Sequence, residues 1–313
     1  MPKVNQARAL QKAFKIAAKF PFVTGVDFGL ALKEGKKIKR LAVRFYVVKK
    51  LPEEVLDSKH ILPKEIDGIR CDVIEARFVA HGVPDYYTDY LQPGLSIGNE
   101  IRRTSGTAGP CVIDNVSGRI GFLSCWHVMC GGLGSKRDEN IVQPGTAHEQ
   151  EPARLRAHVE RFLDLDDGYD AALALLPVDS SFEATPWGMS KSIVGVERPR
   201  RNMKVYKVGA ETGLTYGVIN SEMEGSYDIY LGEYGAGIKT FKGFKVELPD
   251  DAKADAEVSI RGDSGALWVN ADTDKAVGLN FGGVDKVGSS FEYALSHQLV
   301  DVLKHLKVSL YLG

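Results

Sequence analysis

The chain has 313 residues, enough for about two domains at roughly 150 residues each, and with 44% hydrophobic and 26% charged residues it can bury a core. Lys plus Arg number 40 against 41 Asp plus Glu, a formal charge of −1, so no cationic surplus exists to neutralise a phosphate backbone and nucleic acid is not an expected partner. Four cysteines are too few for a disulfide scaffold, whereas 33 glycines against 13 prolines, a glycine share above the usual ~7%, point to many tight turns between short strands.

Residues 6–19, QARALQKAFKIAAK, place Leu10, Ala13, Phe14 and Ala17 at helical spacing and predict an amphipathic helix. Its apolar face has two candidate partners, its own domain or another subunit, and Phe20-Pro21 ends it. The N-terminal 22 residues alternate charge with apolar side chains where an export signal needs an unbroken apolar core, and no apolar run reaches 18 residues. The chain therefore reads as soluble, unexported and cytoplasmic, with no membrane partner. Val23 to Leu32 and Leu41 to Val48 are rich in β-branched and aromatic residues and predict a hairpin, joined by the charged segment KEGKKIKR. The cluster Lys33, Lys36, Lys37, Lys39 and Arg40 in that segment is read as a solvated turn. A third strand is expected at 68–76, which completes a small α/β domain.

Residues 77–103 carry prolines and glycines without a sustained period and read as a connector. From near Ser105 to about 290, short apolar strands alternate with Gly, Pro and Asp; they include GRIGFLSCWHV, AALALLPV, MKVYKVG, AEVSIRG and KAVGLNFGG. No amphipathic crossover separates them, which favours a barrel or sandwich over βαβ units. The tail, 293–308, returns to helical spacing through Leu295, Leu299, Val302, Leu303 and Leu306. The division adopted is a small α/β domain at 1–90 and a mainly β domain with a C-terminal helix at 91–313.

The strongest chemical signal is Arg261-Gly262-Asp263-Ser264-Gly265-Ala266-Leu267-Trp268, a hydroxyl held between glycines ahead of an apolar strand. A serine hydroxyl needs a base to take its proton, and that base needs an orienting carboxylate. The candidates are His127, at the end of GFLSCWHV, and Asp170, directly before the apolar Ala171 to Leu175. Each alone is an ordinary turn or core residue. Together they supply base, acid and nucleophile, each beside an apolar strand.

These segments resemble a trypsin-like serine peptidase of the chymotrypsin fold, from the intracellular bacterial and plant branch with an N-terminal extension domain. The likeness rests on Ser124-Cys125-Trp126-His127-Val128, Tyr169-Asp170-Ala171-Ala172-Leu173 and Gly262-Asp263-Ser264-Gly265, with Lys207 to Gly217 resembling a hairpin early in the second barrel. It covers about residues 104–290, with a fainter likeness at Val23-Thr24-Gly25-Val26 and Val43 to Val47. The resemblance implies a mainly β, chymotrypsin-like double β-barrel and peptide-bond hydrolysis through His127, Asp170 and Ser264. It also implies an oxyanion hole at the N–H groups of Gly262 and Ser264, and an Asp263 that finds an internal partner or stays mobile until something orders the pocket. The walls of the pocket for the residue before the scissile bond would be Val258, Ser259 and Ile260 facing Leu279, Asn280, Phe281 and Gly282. Val258 stands where an acid would select Lys or Arg, so an uncharged side chain is expected there.

Cys111, Cys125 and Cys130 raise zinc as a rival, but C-x-H-x-x-C lacks paired C-x-x-C knuckles, so neither metal nor other cofactor is assigned. His60, His81, His148, His158, His297 and His305 are read as surface or core histidines. The expected partners are a protein or peptide substrate and, because of the leading domain, a regulatory protein or a second copy that opens a latent enzyme. The competing reading is a catalytically weak or inactive scaffold of the same fold that binds a partner.

Overall fold

The computed structural model describes residues 3–20, 22–33, 36–47, 50–52, 54, 56, 58–75, 85–148, 153–221, 224–249, 252, 256–284 and 293–312. The chain divides into two units, one comprising 1–80 with 188–190, the other 81–187 with 191–313. Among the described residues no helix is long and apolar enough to cross a membrane.

The leading unit contains helix α1 (Lys3–Ala17) and strands β1 (Val23–Lys33), β2 (Lys36–Val47), β3 (Glu65–Ile66) and β4 (Ile69–Glu75), in sheet order β1-β2-β4-β3. β1 and β2 are antiparallel with Phe28 opposite Val43, while β2 and β4 are parallel with Phe45 opposite Val73. Ala9 and Ala13, four residues apart and small enough for a close approach, join Val43, Phe45, Leu62, Ile66 and Ile69 in one core. The buried helix face is thus turned from the predicted one, and Phe14 is 53% exposed. Lys36 to Arg40, expected in the hairpin connector, extends β2 instead.

The second unit is mainly β, with two large antiparallel sheets. The first half supplies β5 (Ser96–Asn99), β6 (Gly106–Thr107), β7 (Cys111–Asp114), β8 (Ile120–Ser124), helix α2 (Trp126–Met129), β9 (Asn140–Gln143), β10 (Arg154–Phe162) and β11 (Ala172–Leu175). The second half supplies β12 (Met203–Gly209), β13 (Gly213–Ile219), β14 (Gly225–Leu231), β15 (Gly237–Glu247), β16 (Leu267–Asn270), β17 (Ala276–Gly283), β18 (Tyr293–Gln298), helix α3 (Leu299–His305) and β19 (Val308–Leu310). The strand orders are β19-β7-β8-β11-β10-β9-β5-β6 and β13-β12-β16-β17-β18-β15-β14, and a β13–β15 pairing curls the second sheet on itself. β19 returns to pair with β7 of the first sheet, Val308 opposite Asp114, so the chain end ties the halves together. This is a chymotrypsin-like double-barrel architecture, with a closing helix and a small helix-and-strand unit ahead of it.

Three segments depart from expectation. Residues 91–99, read as connector, are buried and include β5. The segment 256–262, read as a strand, is irregular. The first six residues of the predicted tail helix are β18, paired with β15 and β17, and α3 begins only at Leu299. Every β18 residue except Tyr293 is buried, and in so short an apolar run the helical and strand periods both fit; the open edges of β15 and β17 decide between them.

Candidate active site

His127 and Asp170 meet because of strand register. β8 and β11 are antiparallel with Ser124 opposite Ala172, so the residues just beyond Ser124 and just before Ala172 leave the sheet at the same end. There the chain after Ser124 turns into α2, which carries His127. Asp170 is fully buried and accepts two hydrogen bonds from His127: Oδ2 from Nδ1 at 2.5 Å and Oδ1 from the backbone N–H at 3.1 Å. Burial opposes ionisation of Asp170, yet the charge and hydrogen bonds of His127 prevail and hold the carboxyl below its usual range. The imidazole is thereby fixed with Nδ1 on the acid and Nε2 turned away from it.

Behind Asp170 stands His297, a fully buried core histidine. Its Nε2 accepts the Asp170 backbone N–H at 2.9 Å and its Nδ1 donates to the Lys242 carbonyl at 2.6 Å. That pattern requires the neutral tautomer with a proton on Nδ1, and complete burial pushes the imidazole down to about 4. Its ring stacks on Phe281 at 4.1 Å. The Tyr234 ring lies 5.3 Å from the His127 ring, centroid to centroid.

Ser264 lies on a turn ahead of β16. Gly262 and Gly265 have φ of 98° and 94°, the left-handed region where a Cβ is strained, and a Cβ at Gly265 would also collide with Ser124 Oγ and the Thr107 carbonyl. The turn is anchored by β6: the Thr107 N–H donates to the Ser264 carbonyl at 2.8 Å and Thr107 Oγ1 donates to the Gly262 carbonyl at 2.8 Å. The Gly265 N–H donates to the Asn280 carbonyl at 2.7 Å. Among the described residues, the N–H groups of Gly262 and Ser264 have no partner, as an oxyanion hole requires. Among those same residues no hydrogen bond joins Ser264 Oγ to His127.

Asp263, between these two donors, points inward onto Lys207 of β12. Both side chains are fully buried, with Nζ to Oδ2 at 2.7 Å. Thr212 Oγ1 donates to Oδ2 at 2.7 Å, and the N–H groups of Glu211 and Thr212 each donate to Oδ1 at 3.1 Å. Burial works against the Asp263 carboxylate, but Lys207 and these donors hold it below its usual range. Of the two fates expected for Asp263, the internal partner is the one present. The signal was a lysine inside the otherwise apolar Val205-Tyr206-Lys207-Val208.

Of the expected pocket residues, Val258 is fully buried in the second core beside Val246 and Trp268, while Leu279, Asn280 and Phe281 are buried on β17. Asn280 Nδ2 donates to Ser259 Oγ at 3.1 Å and to the Asp263 carbonyl at 3.2 Å, tying the two expected walls together. Phe281 turns back toward His297, and a Cβ added to Gly282 would meet open space. Cys125 comes near His127 and Asp170, a group with metal-binding elements. Those donors are already committed: His127 to Asp170, and the Cys125 thiol to the Asn280 carbonyl at 3.1 Å. Burial and the nearby Asp170 charge raise the Cys125 thiol far above its usual range, so it is poorly suited to bind a cation.

No protein-family model and no curated protein matches the chain. Solved structures do. Protease A of Thermobifida fusca is 17% identical, with TM-score 0.50; a glutamic acid specific serine protease is 16% identical, with TM-score 0.51; the chymotrypsin of Cellulomonas bogoriensis is 15% identical, with TM-score 0.50. Each comparison covers 71% of this chain and 100% of the other. The chain therefore carries the chymotrypsin-like serine-protease fold. One expectation is corrected here: the cytoplasmic placement. Bacterial proteases of this fold similar to the chain are secreted or membrane-associated, which overturns that placement.

Proposed function

We propose that the chain is a serine endopeptidase in which His127, Asp170 and Ser264 form the catalytic triad. His127 takes the Ser264 proton, Ser264 attacks the peptide carbonyl, and the imidazolium gives the proton to the leaving amine. Water then repeats the cycle on the acyl-enzyme. The N–H groups of Gly262 and Ser264 receive the oxyanion. The observation that carries this reading is the buried Asp170–His127 pair, together with a glycine-framed serine turn that leaves these two amides unpaired. Val258, Ser259 and Ile260 facing Leu279, Asn280, Phe281 and Gly282 form the pocket for the residue before the scissile bond; with a valine at its base it takes an uncharged side chain. Residues 91–313 form the peptidase domain and 1–90 a leading extension domain.

A second reading, favoured by the missing Ser264–His127 hydrogen bond, is a latent enzyme completed by substrate, a regulatory protein or a second copy. The test is fluorophosphonate labelling and cleavage of an unfolded protein by wild type and Ser264→Ala. The proposal requires labelling and cleavage by wild type alone. Equal signal in both proteins rejects Ser264 as nucleophile. Labelling that appears only with an unfolded substrate present supports latency.

A further inference from the structure

A second chain of hydroxyl, imidazole and carboxylate lies beside the serine turn, built from residues outside the triad. Ser96 on β5 is fully buried; its Oγ accepts the Gly145 N–H at 2.9 Å and lies 2.6 Å from Nδ1 of His148. Nε2 of His148 is hydrogen bonded to Oε1 of Glu211. Glu211, in the turn between β12 and β13, gives its backbone N–H to Asp263 at 3.1 Å. Its methylenes lie against Gly262, where a Cβ would collide with Glu211 Cγ.

Hydrogen-bond bookkeeping sets the direction of this chain. The Glu211 carboxylate can only accept, which places an imidazole proton on Nε2; a neutral ring then accepts the Ser96 hydroxyl proton at Nδ1, while the Ser96 oxygen accepts the Gly145 N–H. The order of groups is that of a nucleophile triad, but exposure is reversed. The hydroxyl end is sealed and cannot meet a substrate, while the carboxylate end stands about one-third exposed beside the residue that supplies an oxyanion donor. Gly262 is thus held at its carbonyl by Thr107 and at its Cα by the Glu211 methylenes. Its left-handed φ makes that support consequential, since glycine alone imposes little on the orientation of the Arg261–Gly262 peptide.

We propose that Ser96, His148 and Glu211 form a positioning relay that fixes the Arg261–Gly262 peptide with its N–H turned into the oxyanion hole, and that Glu211 is its acting end. This inference rests on the peptidase reading for its kinetic test but not for its structural one. Glu211→Gln keeps both the methylenes and an acceptor for Nε2–H; Glu211→Ala removes both. Glu211→Ala is expected to lower kcat and the rate of fluorophosphonate labelling about tenfold or more, with KM changed less than twofold, while Glu211→Gln stays within about threefold of wild type. His148→Ala combined with Glu211→Ala should cost no more than Glu211→Ala alone, because the relay acts only through its end. Amide hydrogen exchange over residues 260–266 should be several-fold faster in Glu211→Ala than in Glu211→Gln, at equal thermal midpoints. Wild-type kcat and exchange in Glu211→Ala, or a loss confined to KM, overturns the relay. If wild type neither cleaves nor labels, the peptidase reading fails, and the exchange comparison still decides the relay.

Discussion

The two units handle charge in opposite ways. In the leading unit, Arg44 grips Asp27 through two hydrogen bonds of 2.6 and 2.5 Å, yet these side chains are 20% and 44% exposed, and the core beneath is apolar. In the second unit, Lys207–Asp263 is wholly enclosed and His127–Asp170 nearly so, and both pairs adjoin the proposed catalytic machinery. Surface pairs contribute little because water competes for each partner. Enclosed pairs are costly to assemble and still more costly to break, so they are found where geometry matters more than stability.

The largest expected effect tests whether the enclosed His127–Asp170 pair serves chemistry. Asp170→Asn should retain the fold, judged by circular dichroism, and lose about 10⁴-fold in kcat, because the amide can hold the wrong imidazole tautomer. Activity within tenfold of wild type would reduce the pair to a structural contact. Next in size, Lys207→Met leaves the buried Asp263 without its counter-charge, at a cost of about 3 to 5 kcal/mol by chemical denaturation, with loss of Ser264 labelling. The double variant Lys207→Met with Asp263→Asn should recover much of that stability.

A smaller effect follows from His297. Its folded value of about 4 lies below the ordinary 6.5, so the stability it confers is complete above pH 6.5 and is lost as pH falls from there toward 4, by up to about 3 kcal/mol. Denaturation curves across that window should flatten in His297→Gln relative to wild type; parallel curves would contradict the neutral buried imidazole. The smallest effect belongs to the leading unit: Arg44→Ala should cost no more than about 1 kcal/mol and leave labelling of Ser264 unchanged. A loss of several kcal/mol would break the contrast between the units.

What could be read from the sequence follows the reach of each interaction. Ser264 is framed by Gly262 and Gly265, and His127 and Asp170 each sit at the end of an apolar strand, so local patterns were enough to nominate them. Lys207 was visible in principle as a cation within an apolar strand. His297 and Thr107 were not, since their partners lie 127 and 155 residues away in the chain and nothing in their own neighbourhoods marks them. The β18 segment was misread for a related reason: a short apolar stretch satisfies two periods, and only neighbouring strands decide between them.

Thr107 belongs to the first sheet, but its N–H and hydroxyl hold the serine turn of the second. The proposed nucleophile is therefore held by both sheets. Residues from 191 onward, produced alone, would contain the whole Gly262–Gly265 motif without the strand that disciplines it, and grafting that motif onto another barrel would carry over the letters without the grip. The same arrangement makes the serine turn a strain gauge for the seam between the sheets, where sliding of one sheet against the other would shift the hydroxyl proposed to attack.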